Sequence, residues 1–201
     1  EPIAAALTFE QTLQKNEEKI VLVGDFGGGT SDFSIVRLRG DRILRTGADR
    51  QKDILSLGGI YIGGDTFDSQ IMWHKIAGYF GKDVRYKTIT GEWIAMPYSI
   101  TRTLCQWHLV PRLRDKKICE DIRQIKMTAD DVVAITNLQN IIEDNYGFML
   151  FQSIEKAKCE LSSYDSSQIV FDEKGLMIRE DIDRVEFEQI ISKDVENIDK
   201  C

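Results

Sequence analysis

Hydrophobic positions change period several times along this chain, and each change marks an expected element. Pro2 to Gln14 is rich in helix formers behind a proline that a first helical turn tolerates, so a short helix is expected there. A charged turn from Lys15 to Lys19 gives way to the apolar run Ile20-Val21-Leu22-Val23. Beyond the glycines at 27–29 comes Asp32-Phe33-Ser34-Ile35-Val36-Arg37-Leu38, which completes a strand, a glycine turn and a strand. Gly40-Asp41 supplies another turn and Arg42 to Gly47 reads as a third strand, so residues 19–48 are expected to form an antiparallel meander. The near-continuous apolar run of the first strand implies burial on both faces, with helices on each side of the sheet.

A second glycine region, Gly58-Gly59 and Gly63-Gly64, ends at Asp65, the expected N-cap of a helix over Thr66 to Phe80. Residues 81–147 mix aromatic, basic and acidic side chains, with helical spacing over Ile100–Leu113 and Ala129–Asp144. From Phe148 to Ser163 an amphipathic helix is predicted, because Phe151, Ile154, Ala157 and Leu161 fall three or four positions apart. Strands follow at Gln168–Asp172 and Leu176–Arg179, then a last helix from about Arg184.

Composition narrows the function classes. With 42% apolar residues among 201, the chain can build a core, and a net charge of −7 disfavours attraction to nucleic acid or anionic membrane, so neither is expected as a partner. Four cysteines stand far apart without a Cys-x-x-Cys pair, and only His74 and His108 could join them, so no zinc site is expected. No apolar stretch reaches the roughly 18 to 20 residues that span a bilayer, and a cytoplasmic location with reduced thiols is the expectation. The start at Glu1-Pro2 and the charged helical end at Cys201 are what an excised fragment would show.

The most informative segment is Asp25-Phe26-Gly27-Gly28-Gly29-Thr30-Ser31-Asp32. It joins two strands rather than a strand to a helix, which excludes both the Walker A loop and the dinucleotide fingerprint. Glycines without β-carbons let backbone N–H groups approach phosphate oxygens and permit positive φ. Asp25 and Asp32, one on each side, are placed to hold a hydrated Mg²⁺ between them, and Thr30 to hydrogen-bond a terminal phosphate or an attacking water.

These residues resemble the second phosphate loop of the actin, sugar-kinase and seventy-kilodalton heat-shock superfamily, Asp-x-Gly-Gly-Gly-Thr-x-Asp. Further segments resemble the DnaK-like chaperones in family order: Glu1-Pro2-Ile3-Ala4-Ala5-Ala6, then Gly63-Gly64-Asp65-Thr66-Phe67-Asp68, then Glu155-Lys156-Ala157-Lys158 with Leu161-Ser162-Ser163. The resemblance implies an α/β fold, the lobe II fragment of an actin-like (ribonuclease-H-like) ATPase, with a mixed sheet flanked by helices and a mainly helical α+β cap. Its implied divisions are 1–62 for the hairpin-bearing subdomain, 63–195 for an enlarged adenosine-side cap, and 196–201 for the return to the first. It also implies ATP or ADP with Mg²⁺ as cofactors. Glu1, Asp25, Thr30 and Asp32 would organise the metal and water. Gly27, Gly28, Gly29 and Thr30 would contact phosphate, Gly63, Gly64 and Asp65 would be further nucleotide-binding positions, and Glu155, Lys158, Cys159 and Ser162 would contact adenosine. Cys159 stands where the chaperones carry an arginine against the adenine, and the long stretch from Asp68 to Ile154 is similar to the divergent, shortened YegD type. A first phosphate loop, a catalytic lysine and a later Gly-Gly motif are implied to lie outside this chain, which alone would be nearly inactive. Client proteins, a co-chaperone or an exchange factor are the implied partners. Rival readings are a carbohydrate kinase of the same superfamily and an actin-like filament protein or pseudo-ATPase scaffold.

Among lesser features, Arg102 to Lys126 forms a loose basic stretch interleaved with Asp115, Glu120 and Asp121, expected to be a salt-bridged helical surface. Trp93 and Trp107 are expected to be packing residues of the enlarged cap, and His74 and His108 to be surface or half-buried histidines.

Overall fold

Pro2 opens helix α1 (Pro2–Glu10), where its missing N–H is one that a first turn leaves unpaired in any case. The computed structural model describes residues 2–40, 51–173 and 175–201. Helix α1 packs on a sheet of β1 (Glu18–Phe26), β2 (Ser31–Arg39) and β3 (Ile54–Ile60), in the order β1-β2-β3. Ala6, Val36 and Leu38 are buried between helix and sheet, with Leu13, Val21 and Val23 against them. Buried Glu10 accepts the Arg39 N–H at 3.1 Å and fastens the end of the helix to the end of β2.

Both sheet pairings are antiparallel, so among the described residues the sheet is not mixed. Strand β1 also departs from its expected double burial. Val21 and Val23 turn toward the core, whereas Ile20 and Leu22 on the other face are 63% and 68% exposed. Alternation, not the unbroken apolar run, describes this strand, because α1 covers one side of it. The strand expected over Arg42–Gly47 lies outside the described residues. The third strand of the sheet is β3, which takes in Gly58 and Gly59 of the second glycine region. A β-carbon on Gly59 would stand 2.6 Å from Asp32 Oδ1, so glycine here makes room for that carboxylate.

Contacts divide the chain into two units, residues 1–66 with 194–201 and residues 67–193. The second unit is built around helical pieces. Helix α2 (Gly64–Ile71) begins before the boundary, runs on through a wide turn at Met72–Ile76 and a tight one at Ala77–Phe80, and stops at Gly81, whose φ is +91°. There follow the hairpin β4 (Arg85–Lys87) and β5 (Trp93–Ala95), α3 (Tyr98–Leu104), a short 3-10 turn at Val110–Arg114, α4 (Lys116–Thr128) and α5 (Val132–Glu143). Helix α6 (Gly147–Glu160), the hairpin β6 (Ser166–Glu173) and β7 (Leu176–Asp183), and α7 (Arg184–Asp199) complete the chain. Phe151, Ile154, Ala157 and Leu161 are all buried, as the spacing predicts.

In the second unit the expected helical surface is present, in a helix that the apolar spacing had not marked, and one expectation changes. Lys116–Thr128 is a full amphipathic helix whose buried residues are Ile122 and Ile125, with Asp115 as its N-cap, accepting from Lys117 N–H at 2.9 Å. The basic stretch is thus its wet face and the loop before it. Trp93 and Trp107 are not interior residues. They are 47% and 42% exposed, and Trp93 lies beneath the charges of Arg85 and Lys87 at 5.8 and 5.1 Å.

Candidate phosphate site

The β1–β2 register sets Asp25 directly opposite Asp32, on one face of the sheet. Both are half-buried, and both line a cavity of about 400 Å³ that also touches Pro2 and Ile3 at the start of α1. Thr30 Oγ donates to Asp32 Oδ2 at 2.9 Å, so the hydroxyl and one carboxylate are already coupled. Between the aspartates the chain turns through Gly27, Gly28 and Gly29, all exposed. Gly27 N–H closes the turn on Thr30 O at 2.9 Å. Gly28 and Gly29 N–H meet no acceptor among the described residues.

The turn is anchored from behind by the second glycine segment. Gly64 N–H donates to Gly27 O at 3.1 Å and Asp65 N–H to Gly28 O at 2.7 Å. These are N–H groups of the first turn of α2, which the helix itself cannot satisfy. Asp65 therefore sits within that first turn rather than at the N-cap expected from sequence. Gly63 permits the contact, since a β-carbon there would lie 2.5 Å from the carbonyl oxygens of both Gly27 and Gly28. Positive φ is not what the triplet is for. Among the described glycines only Gly81, Gly91 and Gly175 have it. Gly27 and Gly28 serve close packing, while a β-carbon on Gly29 would meet nothing within 4 Å, leaving that side open to a ligand.

Gly27, Gly28, Gly29, Thr30, Asp25, Asp32, Gly63, Gly64 and Asp65 are thus brought together in the first unit. Glu1 lies outside the described residues. Ser31, which drew no attention in the sequence, is buried and donates to Ile62 O at 2.8 Å, tying β2 to the segment that leads into α2. Its signal was only its place as the variable residue before Asp32.

Glu155, Lys158, Cys159 and Ser162 belong to the second unit. Glu155 and Cys159 are exposed on α6, and exposed Ser162 falls just past its end. Lys158 is different. Its ammonium is 2.9 Å from both carboxylate oxygens of Asp68, with the two side chains only 16% and 8% exposed. Asp68, quoted in the Gly-Gly-Asp-Thr-Phe-Asp segment without a role, is the residue that sequence reasoning missed.

The family model for Hsp70 protein matches residues 1–89. That stretch holds the hairpin and the Gly63–Asp68 segment, and it stops before α3 and α6. The match supports a chaperone-type, ATP-binding assignment of the hairpin half of the chain.

Thiol chemistry offers a check on the second unit. Burial pushes the Cys105 thiol up to about 12, so the thiolate that alkylating reagents need is disfavoured. Iodoacetamide at pH 8, followed by mass mapping, is expected to modify exposed Cys159 and Cys201 first and to leave Cys105 intact until denaturant is added. Early labelling of Cys105 would contradict its burial.

Proposed function

We propose that this chain forms part of the ATP-binding domain of an Hsp70-type chaperone, of the divergent shortened kind, with the lobe II fold of the actin-like ATPases. The observation that carries this reading is the anchored glycine turn, with two unpaired N–H groups, set between paired aspartates. The residues suit a magnesium nucleotide. Gly28 and Gly29 N–H groups, unpaired and on exposed residues, fit phosphate oxygens. Among the described residues no cluster of three or more His, Cys, Asp or Glu side chains is arranged to hold a metal. The two carboxylates Asp25 and Asp32, facing each other across β1 and β2, suit a cation that keeps most of its water, as Mg²⁺ does. When bound, Mg²⁺ offsets the charge of the phosphates. Asp25 and Asp32 would hold it through its waters, and Thr30, held by Asp32, would orient a water toward the terminal phosphate.

For the nucleoside, the proposed contacts are Glu155, Lys158, Cys159 and Ser162. They rest on the resemblance of their segment to the family's adenosine helix. Slow ATP hydrolysis regulating protein binding is the proposed activity of the whole protein.

Calorimetry with ATP and ADP, with and without Mg²⁺, tests the site. Asp25→Asn and Asp32→Asn are each expected to weaken Mg-nucleotide binding about tenfold, roughly the loss of one charge-assisted contact, and to flatten its Mg²⁺ dependence. Unchanged affinity in both variants would overturn the assignment.

A further inference from the structure

Ser34 lies one pleat beyond Asp32 on β2, and alternation along the strand puts the two side chains on the same face of the sheet. The register sets Ser34 opposite Val23 on β1 and Leu57 on β3, so Asp25, which faces Asp32, is its diagonal neighbour. Asp25, Asp32 and Ser34 all line the cavity of about 400 Å³ at the start of α1.

Ser34 is only 3% exposed, yet its hydroxyl has no hydrogen-bond partner among the described residues. Val36 and Leu38, further along the same face of β2, are apolar and buried. A hydroxyl in that row is costly unless something pairs with it. The neighbouring hydroxyls are already engaged, Thr30 by Asp32 and Ser31 by Ile62 O. Of the three, only Ser34 is unpaired.

Asp25 is in the same condition, since its carboxylate makes no hydrogen bond or ion pair among the described residues. Asp32 differs, with Oδ2 held by Thr30 and Oδ1 turned toward Gly59. The free groups of the cavity are therefore one carboxylate and one buried hydroxyl on diagonal positions. Diagonal cross-strand neighbours stand roughly 7–8 Å apart, which suits one bridging water better than a direct bond. Water on a metal ion has its lone pair engaged and donates both hydrogens, so it needs two acceptors, and a carboxylate with a serine oxygen supplies them.

We propose that Ser34 is a positioning residue for the hydrated metal of the hairpin site. With Asp25 it would hold one water of the metal's shell, Asp25 accepting one hydrogen and Ser34 Oγ the other. This role rests on the magnesium-nucleotide reading of the hairpin and adds a residue to it.

Ser34→Ala separates this role from a structural one, because the hydroxyl it removes holds no other part of the chain. Its melting temperature should stay within about 2 °C of the unaltered chain's, or rise. Amide NMR titrations of the 201-residue chain with ADP, without Mg²⁺ and at saturating Mg²⁺, then read the metal's share of binding. Mg²⁺ is expected to strengthen ADP binding in the unaltered chain. In Ser34→Ala that strengthening should fall about fivefold, while affinity for ADP without Mg²⁺ stays the same. Ser34→Thr, which keeps a hydroxyl on a side chain that strands favour, should restore most of it. Asp25→Asn combined with Ser34→Ala should lose little more than Asp25→Asn alone, because the two residues share one water. An equal Mg²⁺ effect in Ser34→Ala and the unaltered chain would overturn the role of Ser34 and leave the hairpin reading standing. So would a lowered melting temperature with ADP affinity reduced equally in the presence and absence of Mg²⁺, the mark of a packing role. No strengthening by Mg²⁺ in the unaltered chain would overturn both.

Discussion

Gly63→Ala is expected to cost about 1–3 kcal/mol of stability and to lower phosphate affinity at the hairpin at least about tenfold. The new methyl group would stand 2.5 Å from the carbonyl oxygens of Gly27 and Gly28, and neither is a flexible side-chain end that can swing away. Relief requires the glycine turn to lift off the start of α2, breaking the bonds from Gly64 N–H to Gly27 O and from Asp65 N–H to Gly28 O. The amides of Gly28 and Gly29 would then lose their fixed direction. Gly29→Ala is the matched control. Its β-carbon meets nothing within 4 Å and its φ is not positive, so stability should stay within about 0.5 kcal/mol while phosphate affinity falls. Thermal unfolding and calorimetry on the two variants separate the roles. Equal stability in both would mean that Gly63 does not hold the turn.

Asp68→Ala is expected to be the most damaging single change in the second unit, at about 3–5 kcal/mol, because it strands the Lys158 ammonium in a site where that side chain is only 16% exposed. For a chain of this size that corresponds to a melting-temperature drop of roughly 10 °C or more. The double variant Asp68→Leu with Lys158→Met should recover much of the loss, since no buried charge then remains unpaired. A double variant as unstable as Asp68→Ala would show that packing around the pair, rather than the charge, is responsible. The pair also bears on nucleotide binding. If Lys158 contacts adenosine, Asp68 holds its ammonium in place, and Asp68→Asn should weaken nucleotide binding more than it destabilises the fold.

What could be read from the sequence was chemistry confined to short segments. The glycine turn with its flanking aspartates needs only local residues to define a hairpin, and β1, the turn and β2 appear where those residues place them. Helices α6 and α7 and the β6–β7 hairpin were equally legible, because their apolar periods are clean. Strand β3 was not, because Gly58 and Gly59 are turn signals locally, and only the distant Asp32 carboxylate explains them in a strand. Double burial of β1 could not be judged from its own apolar run, since the covering layer belongs to other segments. Helix α4 was obscured by charges that crowd its wet face, although Ile118, Ile122 and Ile125 keep helical spacing. Lys158 and Asp68 are 90 residues apart, and nothing near either one announces the other. The docking of Gly63 on the hairpin was hidden in the same way: two motifs legible one by one proved to be a single structure.

The most direct test of the central claim is an amide NMR titration of the chain with ADP and with tripolyphosphate, each with and without Mg²⁺, which registers even weak binding at the residues concerned. Saturable shifts centred on Gly27 to Thr30, strengthened by Mg²⁺ and suppressed in Asp25→Asn, are the predicted result. Hairpin amides that stay unmoved at millimolar ligand, or that shift identically in Asp25→Asn, would contradict it.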